Sequence, residues 1–388
     1  MHEAISLAQQ LVRLASVSPM GKPLPEGSLI HGESRVSDFL ETWGREHQLR
    51  VKRQQVAPSR DNVVFWLPGE LPGVVLWEVH QDTVPVEGMV IEPFGGELRE
   101  GRLYGRGACD VKGTMACMLA ALRELSATSP QQRSSLMLAC TVDEEQGGAG
   151  AIALPQIWES GELPRPDIAI VAEPTELDVV VAHKGVLRWT CRTRGRAAHS
   201  SAPHEGDSAI YRMAAVVSAL QRYQDEVLAR RPAHPLLGRP TLSVGTIRGG
   251  VGVNLVPDAC EIEIDRRLLP GESPAAAQGD VTHFLASLDL AGEKIVHEPP
   301  YLESRGLSDE ANGEMAERLA RAARSVGAAG RKIGVPFGTD ASRLAPHVPC
   351  VVFGAGSIAQ AHTIDEWIAV KQLEDTTTAL VNFMLAAH

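Results

Sequence analysis

The chain has 388 residues, of which 44% are hydrophobic, and a formal net charge of −11 at pH 7. This length exceeds what one hydrophobic core usually holds, so we expect two domains. The negative charge argues against a nucleic-acid or anionic-membrane partner.

The start of the chain and its cysteines indicate a cytoplasmic protein. The first residues have helical periodicity and an early acid, unlike the charged-then-apolar layout of a signal peptide. No apolar stretch approaches the roughly 20 residues that a membrane helix needs. The six cysteines are scattered and form no CxxC pair, so we expect reduced thiols.

The first half of the chain alternates between helix-like and strand-like segments. In chain order we predict helices at about 3–16 and Ser34–Glu46, strands at Asn62–Leu67 and Val74–Val79, a helix at Gly113–Ser126, and strands at Ser135–Val142 and Asp167–Ala172. The short apolar runs are typical of strands buried in a sheet. This alternation predicts a layered α/β domain with a mostly parallel central sheet.

After residue 180 the pattern is that of half-exposed antiparallel strands. The predicted elements are strands at Val179–Thr193, Thr241–Ile247 and Ala259–Arg267, and helices at Ser208–Leu228 and Ser273–Leu288. From about residue 307 the first pattern returns, with a helix at Ser308–Ser325, strands at Lys332–Val335 and Cys350–Phe353, and a last helix at Val370–Ala387. A small α+β domain is therefore inserted into the α/β domain.

Acids and histidines follow four of the predicted buried strands. They are His80, the pair Glu144 and Glu145, Glu173, and His362. Each alone has a plainer explanation, such as a polar pair with Asp82 for His80, a solvated acid for Glu173, or a surface or capping residue for His362. In a parallel sheet, however, these strand ends lie on one side. Asp110 could be a helix N-cap, or it could face the same side as a bridging carboxylate.

The combination predicts a metal centre. Five nitrogen and oxygen ligands suit two zinc-like ions that share one carboxylate: His80, Asp110, Glu145, Glu173 and His362. Glu144 is then left beside the ions, where it can take a proton from a water molecule as general base. Asp82 could orient a neighbouring ligand.

These residues, in this order, closely resemble the M20 family of metallopeptidases and deacylases. The match includes His80-Gln-Asp82-Thr-Val-Pro, the loop Gly105–Gly113, Asp143-Glu-Glu145, Glu173-Pro-Thr and Ala361-His362, and it extends over nearly the whole chain. The resemblance implies a zinc-peptidase-like catalytic domain formed by 1–182 and 299–388. It also implies an inserted ferredoxin-like lid or dimerisation domain at 183–298.

The same resemblance implies a role for each site residue. His80, Asp110 and Glu173 would hold one Zn²⁺, while Asp110 would bridge to a second ion completed by Glu145 and His362. Glu144 would be the general base and Asp82 would orient His80. Co²⁺ is expected to be able to replace zinc.

Four residues outside this centre also match the family. His199, in Gly195–Pro203, resembles a histidine that stabilises the tetrahedral oxyanion and that comes from the partner subunit in dimeric members, so we expect a homodimer. Asn254 and Arg267 match positions that grip the substrate carboxylate, for which the planar fork of arginine is suited. Gly338 lies in a segment that resembles a loop closing on the substrate. Without the resemblance, Asn254 would be interpreted as a turn residue and Arg267 as a surface charge at the end of a strand.

The leading hypothesis is a two-zinc amide hydrolase that removes an N-acyl group from a small-molecule N-acyl amino acid, most like acetylornithine deacetylase of arginine biosynthesis. Succinyl-diaminopimelate desuccinylase is the second hypothesis, and a dipeptidase or carboxypeptidase the third. A non-catalytic relative that binds metal is the fourth, and the complete ligand set argues against it. The chain departs from the usual pattern of the family at two places, which are Glu78-Val79 before His80 and Gly354-Ala-Gly356. Neither departure removes a ligand, but both could alter substrate fit.

Overall fold

The computed structural model describes residues 2–288, 290 and 294–386 and divides into two compact units. Unit 1 comprises the described residues of Met1–Val181, Asp309–Ile333 and Thr339–His388, and unit 2 those of Ala182–Ser308 and Gly334–Gly338. The inserted domain predicted at 183–298 lies within unit 2. Unit 2 extends further, to residue 308, because Leu302–Ser304 pairs with a strand of its sheet.

The helices agree in position with the predicted ones, apart from short additions. The described α-helices are α1 (Glu3–Arg13), α2 (Ser34–Glu46), α3 (Lys112–Ser126), α4 (Ala149–Ala153), α5 (Gln156–Glu159), α6 (Ala209–Arg222), α7 (Pro274–Ala286), α8 (Gly313–Ser325), α9 (Ala341–Leu344) and α10 (Val370–Leu385). The predicted end of the last helix, Ala387, lies outside the described residues. A π turn at Tyr223–Val227 and a 3-10 turn at Leu228–Arg230 continue α6.

The strands are more numerous than predicted. Those described are β1 (Arg50–Ala57), β2 (Arg60–Leu67), β3 (Leu71–His80), β4 (Glu97–Arg99), β5 (Arg102–Tyr104), β6 (Ser134–Thr141), β7 (Ile168–Val171), β8 (Val179–His183), β9 (Gly185–Arg194), β10 (Ala198–His199), β11 (Thr241–Gly249), β12 (Leu255–Val256), β13 (Ala259–Leu268), β14 (Ile295–His297), β15 (Leu302–Ser304), β16 (Lys332–Val335), β17 (Cys350–Val352) and β18 (Trp367–Ala369). The predicted strand Val179–Thr193 is two strands, β8 and β9, which belong to different sheets.

The predicted α/β class is confirmed by the main sheet. Its strand order is β1-β2-β6-β3-β7-β17-β8-β16. The pairs β6–β3, β3–β7 and β7–β17 are parallel, whereas β1–β2, β2–β6 and β17–β8 are antiparallel. The sheet is therefore mixed, with a parallel centre of four strands.

Helix α3 is the most buried helix of unit 1. It packs against α1, α10 and the sheet, and every residue from Lys112 to Leu122 is buried. Its small and apolar side chains, such as Ala116, Ala120 and Ala121, allow this close packing on all sides. The apolar core of unit 1 thus lies directly beneath the segment Gly105–Asp110 that leads into α3.

Unit 2 is built on an antiparallel sheet of order β11-β13-β9-β14, with β15 also paired to β9. Helices α6 and α7 pack on it around a separate apolar core that contains Trp189, Met213 and Ile262. Strands β10 and β12 form a small second sheet. No helix in the described part of the chain is long and apolar enough to cross a membrane.

Candidate metal centre

Neighbouring strands of the parallel centre bring the predicted ligands to one edge of the sheet. His80 is the last residue of β3, and Glu144 and Glu145 follow the end of β6. Glu173 lies just beyond β7, and His362 is in the segment after β17. Because parallel strands end at the same edge, residues that are far apart in sequence meet there.

Asp110 lies between the two histidines. Its Oδ1 is 3.1 Å from Nε2 of His80, and its Oδ2 is 3.2 Å from Nε2 of His362. Nε2 of His362 is also 3.2 Å from Oε2 of Glu145. Asp110 therefore presents one carboxylate oxygen to each histidine, as expected of a bridging ligand.

Asp82 organises both sides of this arrangement. Its backbone carbonyl is 3.0 Å from Nδ1 of His80, so Nδ1–H can donate to it and leave Nε2 facing Asp110. Its buried carboxylate accepts the backbone N–H groups of Glu144 at 3.1 Å and Glu145 at 3.2 Å. The orienting role of Asp82 stays a prediction, and the structure places Asp82 in contact with both His80 and the glutamate pair.

Two sets of three side chains could each hold an ion. In one set, ligand atoms of His80, Glu144 and Glu173 lie within 4.8 Å of one another, and in the other those of His80, Asp110 and Glu145 do. Glu144, expected to act as base, therefore lies as close to His80 and Glu173 as a ligand would. His362 joins the second set through its contacts with Asp110 and Glu145.

The charges of the cluster favour a cation. Burial raises the pKa of Glu144, Glu145 and Glu173, and neighbouring carboxylates raise these pKa values further. Oε1 of Glu145 is buried and has no hydrogen-bond partner among the described residues. Packing several carboxylates together without a counter-charge is unfavourable. The site consists of imidazole nitrogens and carboxylate oxygens, which suit Zn²⁺.

A glycine allows Glu173 to approach the chain after β17. A Cβ atom on Gly354 would lie 2.5 Å from the carbonyl oxygen of Glu173 and 2.6 Å from Oγ1 of Thr114. Both distances are shorter than a carbon contact permits. The glycine is therefore required where these segments meet, whereas Ala355 is tolerated next to it.

Several residues that support the site are not evident from sequence. The carboxylate of Glu366 accepts hydrogen bonds from the loop before Asp110. Glu78 accepts a hydrogen bond from the hydroxyl of Thr141. Burial and the nearby Asp340 carboxylate raise the pKa of Glu78 to about 8. The adjacent acids Asp365 and Glu366 precede the apolar run Trp367–Val370, whereas the criterion that identified Glu144 and Glu145 selects acids that follow such a run.

Arg60 fixes the turn from which the glutamate pair projects. Asp143 starts this turn in the left-handed region, with φ of 72°. Arg60 donates to Oδ1 of Asp143 at 2.7 Å and forms a two-pronged ion pair with the fully buried Glu33. An ion-pair chain therefore connects α2, β2 and the Asp143 turn.

Replacing Arg60 by methionine should destabilise unit 1 by about 3 kcal/mol, because it leaves Glu33 buried without its partner. Urea unfolding followed by tryptophan fluorescence would measure the loss. Arg45→Met is the control, since it breaks only the exposed pair with Glu41 and should cost much less. Equal losses for both variants would contradict this role of Arg60.

The remaining predicted residues lie in unit 2. His199 is exposed on β10, its Nδ1 is 2.7 Å from the Ser201 hydroxyl, and Ser200 N–H donates to the Asn254 carbonyl at 3.0 Å. The structure thus places the His199 and Asn254 segments side by side. Arg267 is paired with Asp265, at 2.7 Å from Nε to Oδ1. Gly338 lies in the short segment that contributes to unit 2.

Known proteins resemble this chain in sequence and in fold. The model described as Peptidase family M20/M25/M40 matches residues 76–386. The chain is 33% identical to an acetylornithine deacetylase of Myxococcus xanthus over 305 residues, which are 76% of this chain and 75% of the relative. It is 30% identical to one of Salmonella arizonae over 380 residues, 96% and 94% of the two chains. An M20 metallo-carboxypeptidase of Sulfolobus solfataricus has the same fold, with a TM-score of 0.78, 16% identity and 99% of both chains covered.

Proposed function

Because the chain belongs to peptidase family M20/M25/M40 and is a metal-dependent hydrolase of amide bonds, we propose that it removes an N-acyl group from an amino acid, with N-acetylornithine as the leading substrate. The observation that carries this proposal is the placement of Asp110 between His80 and His362, with Glu144 beside them. The names of the relatives at 30–33% identity favour deacetylation of ornithine.

Two ions would be held by this chain in the proposed enzyme. His80, Asp110 and Glu173 would bind one, and Asp110, Glu145 and His362 the other. When bound, such ions lower the pKa of a water molecule and polarise the amide carbonyl. We propose Zn²⁺ in both positions, with Co²⁺ as a working substitute.

Glu144 would carry the proton. Burial and neighbouring carboxylates raise its pKa in the metal-free cluster, and bound cations would lower that pKa so that Glu144 is ionised and able to accept a proton. It would accept a proton from water and pass that proton to the nitrogen of the departing amine, so that acid and amine are released. Asp82 would fix the backbone of both glutamates, because its carboxylate accepts the N–H groups of Glu144 and Glu145. Glu144 would then stay directed at the water molecule and Glu145 at the ion.

The substrate is tested by comparing kcat/KM for N-acetylornithine, N-succinyl-diaminopimelate, other N-acetyl amino acids and a few dipeptides with zinc-loaded protein. We expect the highest value for N-acetylornithine. If kcat/KM is highest for N-succinyl-diaminopimelate, the protein is a desuccinylase. If it is highest for a dipeptide, the protein is a peptidase. Hydrolysis of none of them would overturn the proposed activity.

His199 is proposed to stabilise the oxyanion that forms from the amide carbonyl. Its replacement by alanine should lower kcat about 10²–10³-fold, the effect of losing one such donor, without changing the metal content. Metal analysis and steady-state kinetics on the same sample test both parts. Unchanged kcat would reject the role.

We also propose that His199 acts on the site of a partner subunit in a homodimer. If so, mixing and re-associating the Glu144→Ala and His199→Ala variants should recover activity that neither has alone, because one of the two sites then contains both residues. Activity of the mixture equal to the average of the separate variants would argue against action across the dimer.

A further inference from the structure

The carboxylate of Glu366 holds the loop that precedes Asp110. Its Oε1 accepts the backbone N–H groups of Cys109 at 2.8 Å and Asp110 at 3.0 Å. Its Oε2 accepts the N–H of Gly107 at 3.0 Å and Nη1 of Arg106 at 2.7 Å. Four donors from five consecutive residues therefore converge on one side chain.

Burial makes these bonds strong determinants of geometry. The side chain of Glu366 is 0% exposed and that of Arg106 4% exposed, so water cannot replace a lost partner. Arg106 also donates to the Pro85 carbonyl at 3.0 Å. The backbone N–H of Gly105 donates to the Glu366 carbonyl at 3.0 Å, so both the main chain and the side chain of Glu366 bind the loop. A buried donor left without an acceptor is costly.

Glu366 also belongs to the segment that carries a second predicted ligand. It follows His362 by four residues, and Nε2 of His362 is 3.2 Å from Oδ2 of Asp110. The carboxylate that accepts the Asp110 N–H therefore belongs to the same short segment as His362. Without the Glu366 side chain, the loop of Asp110 would lose the four hydrogen bonds that this carboxylate accepts from the side of the His362 segment.

We propose that Glu366 is a positioning residue for the metal centre, fixing Asp110 relative to His362 by binding the Asp110 loop from the His362 segment. This inference rests on the proposed function, since the geometry it protects is that of two ligands of the proposed ions. Glu366 itself is not assigned as a ligand. Partners behind metal ligands are known to control affinity by orienting them.

A glutamine cannot reproduce these contacts. The NH₂ group of the glutamine would face N–H donors, with which it cannot form hydrogen bonds. The glutamine is also neutral, so Arg106 would lose its anionic partner. Glu366→Gln nevertheless keeps the side-chain volume and one acceptor oxygen, so it preserves the packing. Glu366→Ala removes all four interactions and is the stronger variant, while Glu366→Gln remains informative if the alanine variant does not fold.

The test is zinc affinity, measured on metal-free full-length protein by titration against a chromogenic chelator. We expect the wild type to bind two ions and Glu366→Gln to bind at least one of them roughly 10–100-fold more weakly. The absorption spectrum of bound Co²⁺ should change as well, because ligand geometry sets it. The matched control is Glu272→Gln in unit 2, where the carboxylate accepts Leu269 N–H, Arg231 and Arg266.

Glu272→Gln should lower thermal stability but leave zinc affinity within about twofold of wild type, since its partners lie outside unit 1. Zinc constants of Glu366→Gln that match those of the control would overturn the positioning role. A wild type that binds no divalent ion would overturn the proposed function and this inference together. A wild type that binds two ions but hydrolyses no substrate would overturn only the proposed activity, while the affinity comparison still decides the inference.

Discussion

Replacing Glu144 by alanine should lower kcat by two to four orders of magnitude, equivalent to about 3–5 kcal/mol of transition-state stabilisation. The reason is that the proposed ligand sets are complete without Glu144, whose proposed task is proton transfer. Its loss should therefore leave two ions bound. Measuring kcat and the metal content of the same purified variant tests the loss of turnover and the retention of both ions.

The neighbouring residue provides the matched control. Glu145→Ala removes the carboxylate whose Oε2 is 3.2 Å from Nε2 of His362, so this variant should lose one ion as well as activity. The Glu144→Ala and Glu145→Ala variants would then both be inactive, but only the Glu145→Ala variant would have lost an ion. Loss of an ion from Glu144→Ala would reject the base role and agree instead with its proximity to His80 and Glu173.

Removing the metal should reduce hydrolysis to background, and adding Zn²⁺ or Co²⁺ should restore it. The metal-free protein should also melt at a lower temperature, because an ion that binds only the folded state stabilises it by about 2.7 kcal/mol at 100 times its Kd. Dialysis against a chelator, followed by assays and thermal melts with and without added metal, measures both effects. Activity that persists in verified metal-free protein would end the proposed mechanism.

The pH dependence of metal binding has a defined sign. Hydrogen bonds to the carboxylates of Asp110 and Glu145 raise the pKa of His362 to about 10, so at neutral pH the metal-free imidazole is protonated. An ion can bind Nε2 only after that proton leaves, which means that metal affinity should fall as the pH is lowered.

Magnesium, which rarely uses imidazole ligands, should restore little activity to the metal-free protein.

The sequence predicted the parallel centre well because its strands are apolar runs bounded by turn residues. The ends of β3, β6 and β7 follow from those runs, and so does the meeting of His80, Glu145 and Glu173 at one edge. Strand β1 escaped prediction because Arg50–Ala57 is polar and half-exposed at the edge of the sheet, where strand composition is weakly constrained. Unit 2 begins at Ala182, and its extension to residue 308 depends on a three-residue strand that no sequence pattern marked.

The supporting interactions could not be predicted in the same way. Glu33 is buried and its partner Arg60 half-buried where α2 packs against β2, and local sequence carries no signal for that contact. Glu366 binds donors about 260 positions away in the chain. Such pairings become visible only once the topology is known.

The position of β17 has a consequence for biosynthesis. This strand lies between β7 and β8 in the sheet, yet all of unit 2 precedes it on the ribosome. At 5–20 residues per second, the apolar edge of Ile168–Val171 stays unpaired for roughly ten to forty seconds after it emerges. An open strand edge is a template for aggregation. A nascent chain therefore needs protection during that interval, and a chain terminated before Cys350 keeps the edge open for its whole lifetime.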